Sequence, residues 1–398
     1  REQGLAGSKL LNVRANPGTV GLGFGDGERS AALTADFSPA PDTAVLACGT
    51  ALGGEEVVGW GAPSTTTVPA ALSKSKMVPD DHILAELVSL RKVAESRREC
   101  PHDAHPCLAP TAGPHSSTAY WKLAALDAAL TLSSSPADLT MTVAPELATQ
   151  GGIVQALDLS LTGSGAAEYI ATALGGDWCC WPLKAALGAA PREGRYDEEK
   201  VRCSNTLERL LTTEGRLRRN SFALVIGDLD GEPEEGALRA EYNASYRRRL
   251  LWELLTGLSC LAEGGTFVLR LGDTLTMFSM SLLYLLHRSF RHLCLFAPFA
   301  SCPASNERFA VCLGAHPTPE ALLAHLRTAL EINNAITDAG EPGSRALGEL
   351  LPVGELLNAP HFYQYVAGRT QLLAERQTRH LRYLRCETTG ELCGAGVE

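Results

Sequence analysis

The sequence predicts an α/β protein: a largely parallel sheet with helices on both faces, a β-rich N-terminal extension and a helical C-terminal appendage. Three observations predict it. Continuous apolar runs such as "FALVIGD" and "TFVLRLG" have the length and the β-branched or aromatic content of buried strands. Segments with helical spacing separate them, and strands alternating with helices build parallel sheets. Glycines or acids follow these runs directly, which marks where strand gives way to turn.

Taken in order, residues 1 to about 75 are rich in Gly, Ala, Thr and Pro and carry short β-like runs such as "TAVLACG" (Thr43–Gly49). "GLGFGDG" (Gly21–Gly27) has the glycines of a nucleotide loop, but no helix pattern follows it, so a turn-rich β region is the better reading. From Asp80 the pattern turns helical, with Ile83, Leu84, Leu87, Leu90 and Val93 near one face. "CPHDAHPC" (Cys100–Cys107) has two Cys and two His, yet its spacing matches none of the common structural zinc patterns and its prolines make it a loop. No metal is expected there.

A second helix covers Ser116–Leu132, with Ser116 or Ser117 as its cap. Then come a strand over Gly152–Leu161, a glycine turn opening a helix, a short strand "DWCCWPL" and the strand Ser221–Gly231. A long helix, roughly 236–262, leads into "GGTFVLRLGD" (Gly264–Asp273). The helix "TMFSMSLLYLLHRSF" and the strands "HLCLFAPF" and "RFAVCLG" complete the sheet; the short loop between the last two suits an antiparallel pair. After Pro317 the chain reads as mostly helical. The expected division is therefore 1–78, 79–316 and 317–398.

The chain has 398 residues, enough for one large domain with appendages or for two domains. A net charge of −10 argues against a protein that coats nucleic acid non-specifically. Arginine concentrates in "GRLRRN" (Gly215–Asn220) and "YRRRLLW" (Tyr246–Trp252), either as a local basic groove or as solvated faces. No uninterrupted apolar run reaches membrane-spanning length. The twelve cysteines, scattered without a repeated CxxC pair, read as reduced thiols of an intracellular protein, nuclear or cytoplasmic. A first residue other than Met leaves an organellar or viral context open.

Ligands of open α/β sheets bind at the carboxyl ends of the strands. Three such ends carry chemistry: the turn Thr162-Gly163-Ser164-Gly165, the acids Asp228 and Asp230, and the pair Arg270 and Asp273. Small residues in the turn let backbone amides approach a ligand. Acid and base on adjacent strand ends suggest an ion pair. Arg270 is the odd residue, a guanidinium closing an apolar strand.

The stretch Gly264–Gly314, with its "YLL", "CLF", "SCPASNER" and "VCLG", resembles the FtsJ-like cap-specific RNA ribose 2′-O-methyltransferases, and within them the eukaryotic branch that methylates the first transcribed nucleotide. "LDLSLTGSGAAEYI" is similar to that family's SAM loop, and "LPVGELLNAPHFYQYVAGRTQ" to its C-terminal region. The likeness covers roughly Ser116 to Leu384. It implies a Rossmann-like, SAM-dependent methyltransferase sheet. The family's Lys-Asp-Lys-Glu tetrad falls on Lys122, Asp228, Arg270 and Glu307, so one lysine is replaced by arginine. The cofactor S-adenosyl-L-methionine would meet Asp158, Thr162, Gly163, Ser164, Gly165 and Asp228, with Ser164 where the family has glycine.

The implied reaction moves a methyl group to a ribose 2′-OH, with RNA, in particular a capped 5′ end, as partner and no membrane. Arginine does not release a proton near neutral pH, so Arg270 would orient or stabilise charge rather than act as a base. The alternative is a catalytically inactive methyltransferase fold serving as an RNA-binding or scaffold subunit of a larger ribonucleoprotein or viral assembly.

Overall fold

Alternation along each strand decides which helix its side chains meet, and that alternation builds the site. The computed structural model describes residues 45–67, 80–96, 117–130, 132, 149–150, 153–161, 165–188, 198–212, 214–229, 243–298, 301, 305–338 and 345–389. Its strands are β1 (Leu46–Ala47), β2 (Ser64–Thr67), β3 (Thr149–Gln150), β4 (Ile153–Asp158), β5 (Trp178–Pro182), β6 (Phe222–Ile226), β7 (Leu261–Leu271), β8 (Phe290–Phe296), β9 (Arg308–Ala315) and β10 (Arg345–Glu349). Its helices are α1 (Gly54–Gly59), α2 (Asp81–Ser96), α3 (Thr118–Leu130), α4 (Gly165–Tyr169), α5 (Leu183–Leu187), α6 (Glu198–Val201), α7 (Ser204–Leu211), α8 (Ala244–Cys260), α9 (Met277–Ser289), α10 (Glu320–Asp338), α11 (Val353–Leu357) and α12 (Pro360–Thr389).

The main sheet runs β1-β8-β9-β7-β6-β4-β3, with β5 also on β4. Strands β5, β4, β6 and β7 are parallel, and β9 lies antiparallel between β7 and β8. This is the α/β, Rossmann-like architecture expected, and β8 and β9 are the antiparallel pair expected from their short connection. In β7, Phe267, Leu269 and Leu271 enter the core shared with α8, α9 and α10, while Val268 enters the core shared with α3 and α4. With a side-chain period of two, Arg270 follows Val268 onto the α3 face. Helices thus cover both faces, as two-sided burial of apolar strands requires.

Gly264, at φ 78°, shows why β7 begins irregularly. Between the rungs Phe222–Leu261 and Leu224–Thr266 the β7 side carries extra residues, and glycine takes the left-handed turn there without a Cβ clash. Regular pairing with β6 resumes at Thr266, near the start expected from the two glycines.

One expectation is corrected. "YRRRLLW" is neither a basic groove nor a solvated face: Arg247, Arg248 and Arg249 are all buried on α8. The helix is sandwiched between sheet, α10 and β10, and each guanidinium finds an internal acceptor. Arg247 donates to Leu347 O and stacks 4.8 Å from the Phe278 ring, Arg248 Nε donates to Asn334 Oδ1 at 2.8 Å, and Arg249 reaches Glu253. The segment after Pro317 is mostly helical, as expected, with one short strand. β10 pairs antiparallel with β2, and Arg345 donates to Thr65 Oγ1 at 2.7 Å. From the N-terminal side, β1 extends the main sheet along β8, and Glu56 of α1 takes two hydrogen bonds from Arg288, at 2.8 and 3.0 Å.

The apolar face read from Ile83 to Val93 belongs to α2. Leu84, Leu87 and Leu90 pack against Leu275 and against Ala374 and Leu381 of α12. No helix among the described residues is long and apolar enough to cross a membrane. "CPHDAHPC" and Asp230 lie outside the described residues. Among those described, no cluster of three or more His, Cys, Asp or Glu is arranged to hold a metal ion.

Candidate active site

Rung geometry sets two site residues side by side. Ile226 of β6 pairs with Val268 of β7, so Asp228 and Arg270, each two residues further on, leave adjacent strand ends. Gly227 N donates to Val268 O at 2.7 Å, which carries the pairing past the end of β6. On the other side of β7, Arg270 pairs with Phe309 and Leu271 with Arg308, which brings Glu307 to the same end of the sheet. Lys122, one turn into α3, reaches down onto it.

Three of the four sequence-derived positions meet directly. Lys122 Nζ lies 2.7 Å from Glu307 Oε1 and donates to Leu229 O at 3.3 Å, while Arg270 Nη1 lies 3.5 Å from the same carboxylate oxygen. Burial alone would push the Glu307 carboxyl up; Lys122 first and Arg270 next more than offset this, and its pKa falls below the ordinary glutamate value. Glu307 is therefore an ionised carboxylate shared by two buried cations.

Asp228 meets a residue the sequence reading missed: Arg202, between α6 and α7, lies 3.1 Å from Asp228 Oδ2 with both side chains buried. Nothing in "VRCSN" marks Arg202 as a site residue. Beneath this pair sits Glu253, fully buried on α8, whose pKa is raised by burial against the opposing pull of Arg249, Arg202 and Arg270. Arg249 Nη1 lies 3.4 Å from Glu253 and also donates to the Arg270 carbonyl at 3.3 Å, bracing the backbone under the site. The i,i+4 spacing of Arg249 and Glu253 on α8 was the available signal.

Asp273 does not serve Arg270. It takes two hydrogen bonds from Arg91 of α2, at 2.6 and 2.9 Å, and a third from Arg308 at 3.2 Å. Burial raises its pKa and the two guanidiniums bring it below the ordinary aspartate value. The reason is orientation: Asp273 lies beyond the end of β7, under the α2–α12 pair.

On the cofactor side, Asp158 closes β4, is buried, and accepts a hydrogen bond from Ser160 N at 3.0 Å. Thr162, Gly163 and Ser164 lie outside the described residues. Gly165 opens α4, where a Cβ would stand 2.1 Å from Ser117 Oγ and 2.8 Å from Tyr120 N. Its missing side chain lets α4 close on α3. The tyrosine of "EY", Tyr169, has the same structural role, donating to Asp127 Oδ2 at 2.6 Å. Of the tryptophans, Trp178 is core, while Trp181 is 47% exposed and donates to Gln155 Oε1. The remaining acceptors, Asp158 and Asp228 at neighbouring carboxyl ends, suit a cofactor bearing hydroxyl and ammonium donors.

No family model matches the chain. The cap-specific mRNA (nucleoside-2′-O-)-methyltransferase 1 of Danio rerio is 32% identical over 136 residues, 34% of this chain and 16% of that protein. The inactive cap-specific mRNA (nucleoside-2′-O-)-methyltransferase 1B of Caenorhabditis briggsae is 30% identical over 138 residues, again 34% and 16%. The chain is a distant homologue of these proteins. The match spans less than a fifth of the length of either relative. Among solved structures, human methyltransferase-like protein 13 in complex with SAH superposes with a TM-score of 0.28 at 16% identity, covering 54% of this chain and 90% of that one.

Proposed function

We propose that the protein is a cap ribose 2′-O-methyltransferase of reduced activity, acting on the capped 5′ end of an RNA. The observation that carries this reading is the convergence of Lys122, Arg270 and Glu307 beside Asp228 at the carboxyl ends of β6 and β7. A ribose 2′-OH attacks only as it loses its proton. Lys122 is the residue of this cluster able to exchange one, while Arg270, always charged, stabilises the oxygen as negative charge develops on it. Glu307 fixes both cations, and Asp228 is held in place by Arg202. Asp158, Asp228 and the turn 162–165 would hold S-adenosyl-L-methionine, which supplies the electrophilic methyl group.

A second reading, an inactive RNA-binding or scaffold subunit, is favoured by two features. Arg270 stands where the family keeps a lysine, and Arg202 already engages the Asp228 carboxylate. One of the relatives is named inactive, which supports this reading.

Titration calorimetry with S-adenosyl-L-methionine, followed by methyl transfer to capped RNA for the native protein and for Arg270→Lys, tests the choice. The enzyme reading expects cofactor binding and a faster Arg270→Lys variant. Absence of cofactor binding sinks it in favour of the second reading. A native protein faster than Arg270→Lys overturns the role given to arginine.

A further inference from the structure

Glu253 is a carboxyl group set behind the site without a close ion pair. It is 0% exposed on α8. Its hydrogen-bond partner among the described residues is Arg249 Nη1, 3.4 and 3.5 Å from its two oxygens, the long end of the range. That guanidinium also serves the Arg270 carbonyl. A fully buried carboxyl without a short, well-formed ion pair favours its protonated form.

Gly227 brings this carboxyl under the charges of the site. A Cβ at Gly227 would stand 2.7 Å from Glu253 Oε2 and 3.2 Å from Val268 O, so the missing side chain lets the carboxyl lie directly behind the residue before Asp228. The charged groups acting on Glu253 come from each neighbouring element: Arg249 of α8, Arg202 between α6 and α7, Asp228 after β6 and Arg270 of β7. The three cations favour the ionised form, whereas burial and Asp228 oppose it, and burial prevails. A cation bound at Asp228 offsets the opposing carboxylate and adds positive charge of its own. Both effects favour ionised Glu253.

The cofactor of the proposed function changes charge in this way. S-adenosyl-L-methionine carries a sulfonium, and the thioether left after methyl transfer is neutral at sulfur. We propose that Glu253 is a specificity-determining residue for cofactor charge, ionising when the sulfonium form binds beside Asp228 and keeping its proton when the thioether form binds. The assignment rests on the functional reading above, which brings the cofactor to Asp228. Negative charge then lies under the sulfonium form alone, so the site favours the cofactor over its demethylated product.

Titration calorimetry of the full chain with S-adenosyl-L-methionine and with S-adenosyl-L-homocysteine, in buffers of different ionisation enthalpy, counts the protons released on binding. Below about pH 7 the ammonium groups of both ligands stay largely protonated and leave the count to the protein. The sulfonium form should release up to about one proton, and its affinity should rise up to about tenfold between about pH 5.5 and 6.5. The thioether form should release little and show a flat profile. Glu253→Gln should abolish the release and flatten the profile of the sulfonium form, with thioether affinity unchanged. Infrared difference spectra give a second readout. The carbonyl stretch of a protonated carboxylic acid should disappear when the sulfonium form is added to the native protein, and this change should be missing in Glu253→Gln. If the sulfonium form binds without proton release, or if Glu253→Gln releases as much as the native protein, the inference is wrong and the functional reading stands. If the sulfonium form does not bind, both fall.

Discussion

Replacing Glu307 by glutamine keeps the side-chain shape and removes the charge shared by Lys122 and Arg270. The carboxylate lies 2.7 Å from one cation and 3.5 Å from the other, and all three side chains are 8–11% exposed. Water therefore does little to replace the lost partner. Removing one member of a buried pair costs about 3–5 kcal/mol, because the other charge stays buried. Two cations lose their shared carboxylate here, so the upper end is expected. The Arg219–Glu320 pair is nearly as close, at 3.3 Å, but 42% and 65% exposed, and such pairs contribute about 0–1 kcal/mol. Glu320→Gln is thus the comparison, with equilibrium urea unfolding read by tryptophan fluorescence as the assay. Adding Lys122→Met to Glu307→Gln should recover much of the loss, since one stranded cation is gone. The pH dependence has a definite sign. The folded pKa of Glu307 lies below its unfolded value, so its contribution is complete above about pH 4.3 and is lost as pH falls through the folded value. Glu307→Gln should flatten that acid limb. Equal costs for Glu307→Gln and Glu320→Gln would refute the whole line of reasoning.

Gly165→Ala places a methyl group 2.8 Å from the backbone nitrogen of Tyr120, which cannot swing aside as a side chain can. It should cost about 1–3 kcal/mol in thermal unfolding, whereas Gly176→Ala, with nothing within 4 Å of its added Cβ, should cost far less. Glu253 has the opposite linkage to Glu307: burial raises its folded pKa, so its contribution is present below the unfolded value and lost as pH rises through the folded one. Glu253→Gln should therefore match or exceed native stability in urea at pH 7; a loss of about 3–5 kcal/mol, the cost of breaking an ionised buried pair, would show that Glu253 is charged.

The sheet was legible because its strands are buried on both faces and so write themselves as apolar runs ended by glycine or acid. "FALVI" and "TFVLRL" became β6 and β7 nearly as bounded. The positions of Lys122, Asp228, Arg270 and Glu307 were reached through likeness, and strand pairing then explains why β7 and β9 carry two of them to one end. What the sequence hid are contacts between residues far apart in the chain. Arg202 has no pattern around it, and Arg91 meets Asp273 from 182 residues away. The triple arginine of α8 misled for a physical reason. Composition counts charge, while a guanidinium can be buried wherever backbone carbonyls, amides or carboxylates meet its fork. The β2–β10 pair was likewise invisible, since two short polar strands become a sheet only once the fold brings them together.

The same contacts that hold the site together restrain its chemistry. In the proposed function Lys122 exchanges the proton, and Glu307 holds that lysine at 2.7 Å. Arg270 draws on the same carboxylate from 3.5 Å. A lysine at position 270 would compete for Glu307 as a compact point charge and could itself release a proton. Removing Glu307 instead would take a carboxylate from two buried cations, at a stability cost the fold would feel first. Arg270→Lys is the substitution that alters the chemistry while leaving the carboxylate paired, which is why gain of activity there, rather than loss anywhere else, discriminates a restrained enzyme from an inactive fold.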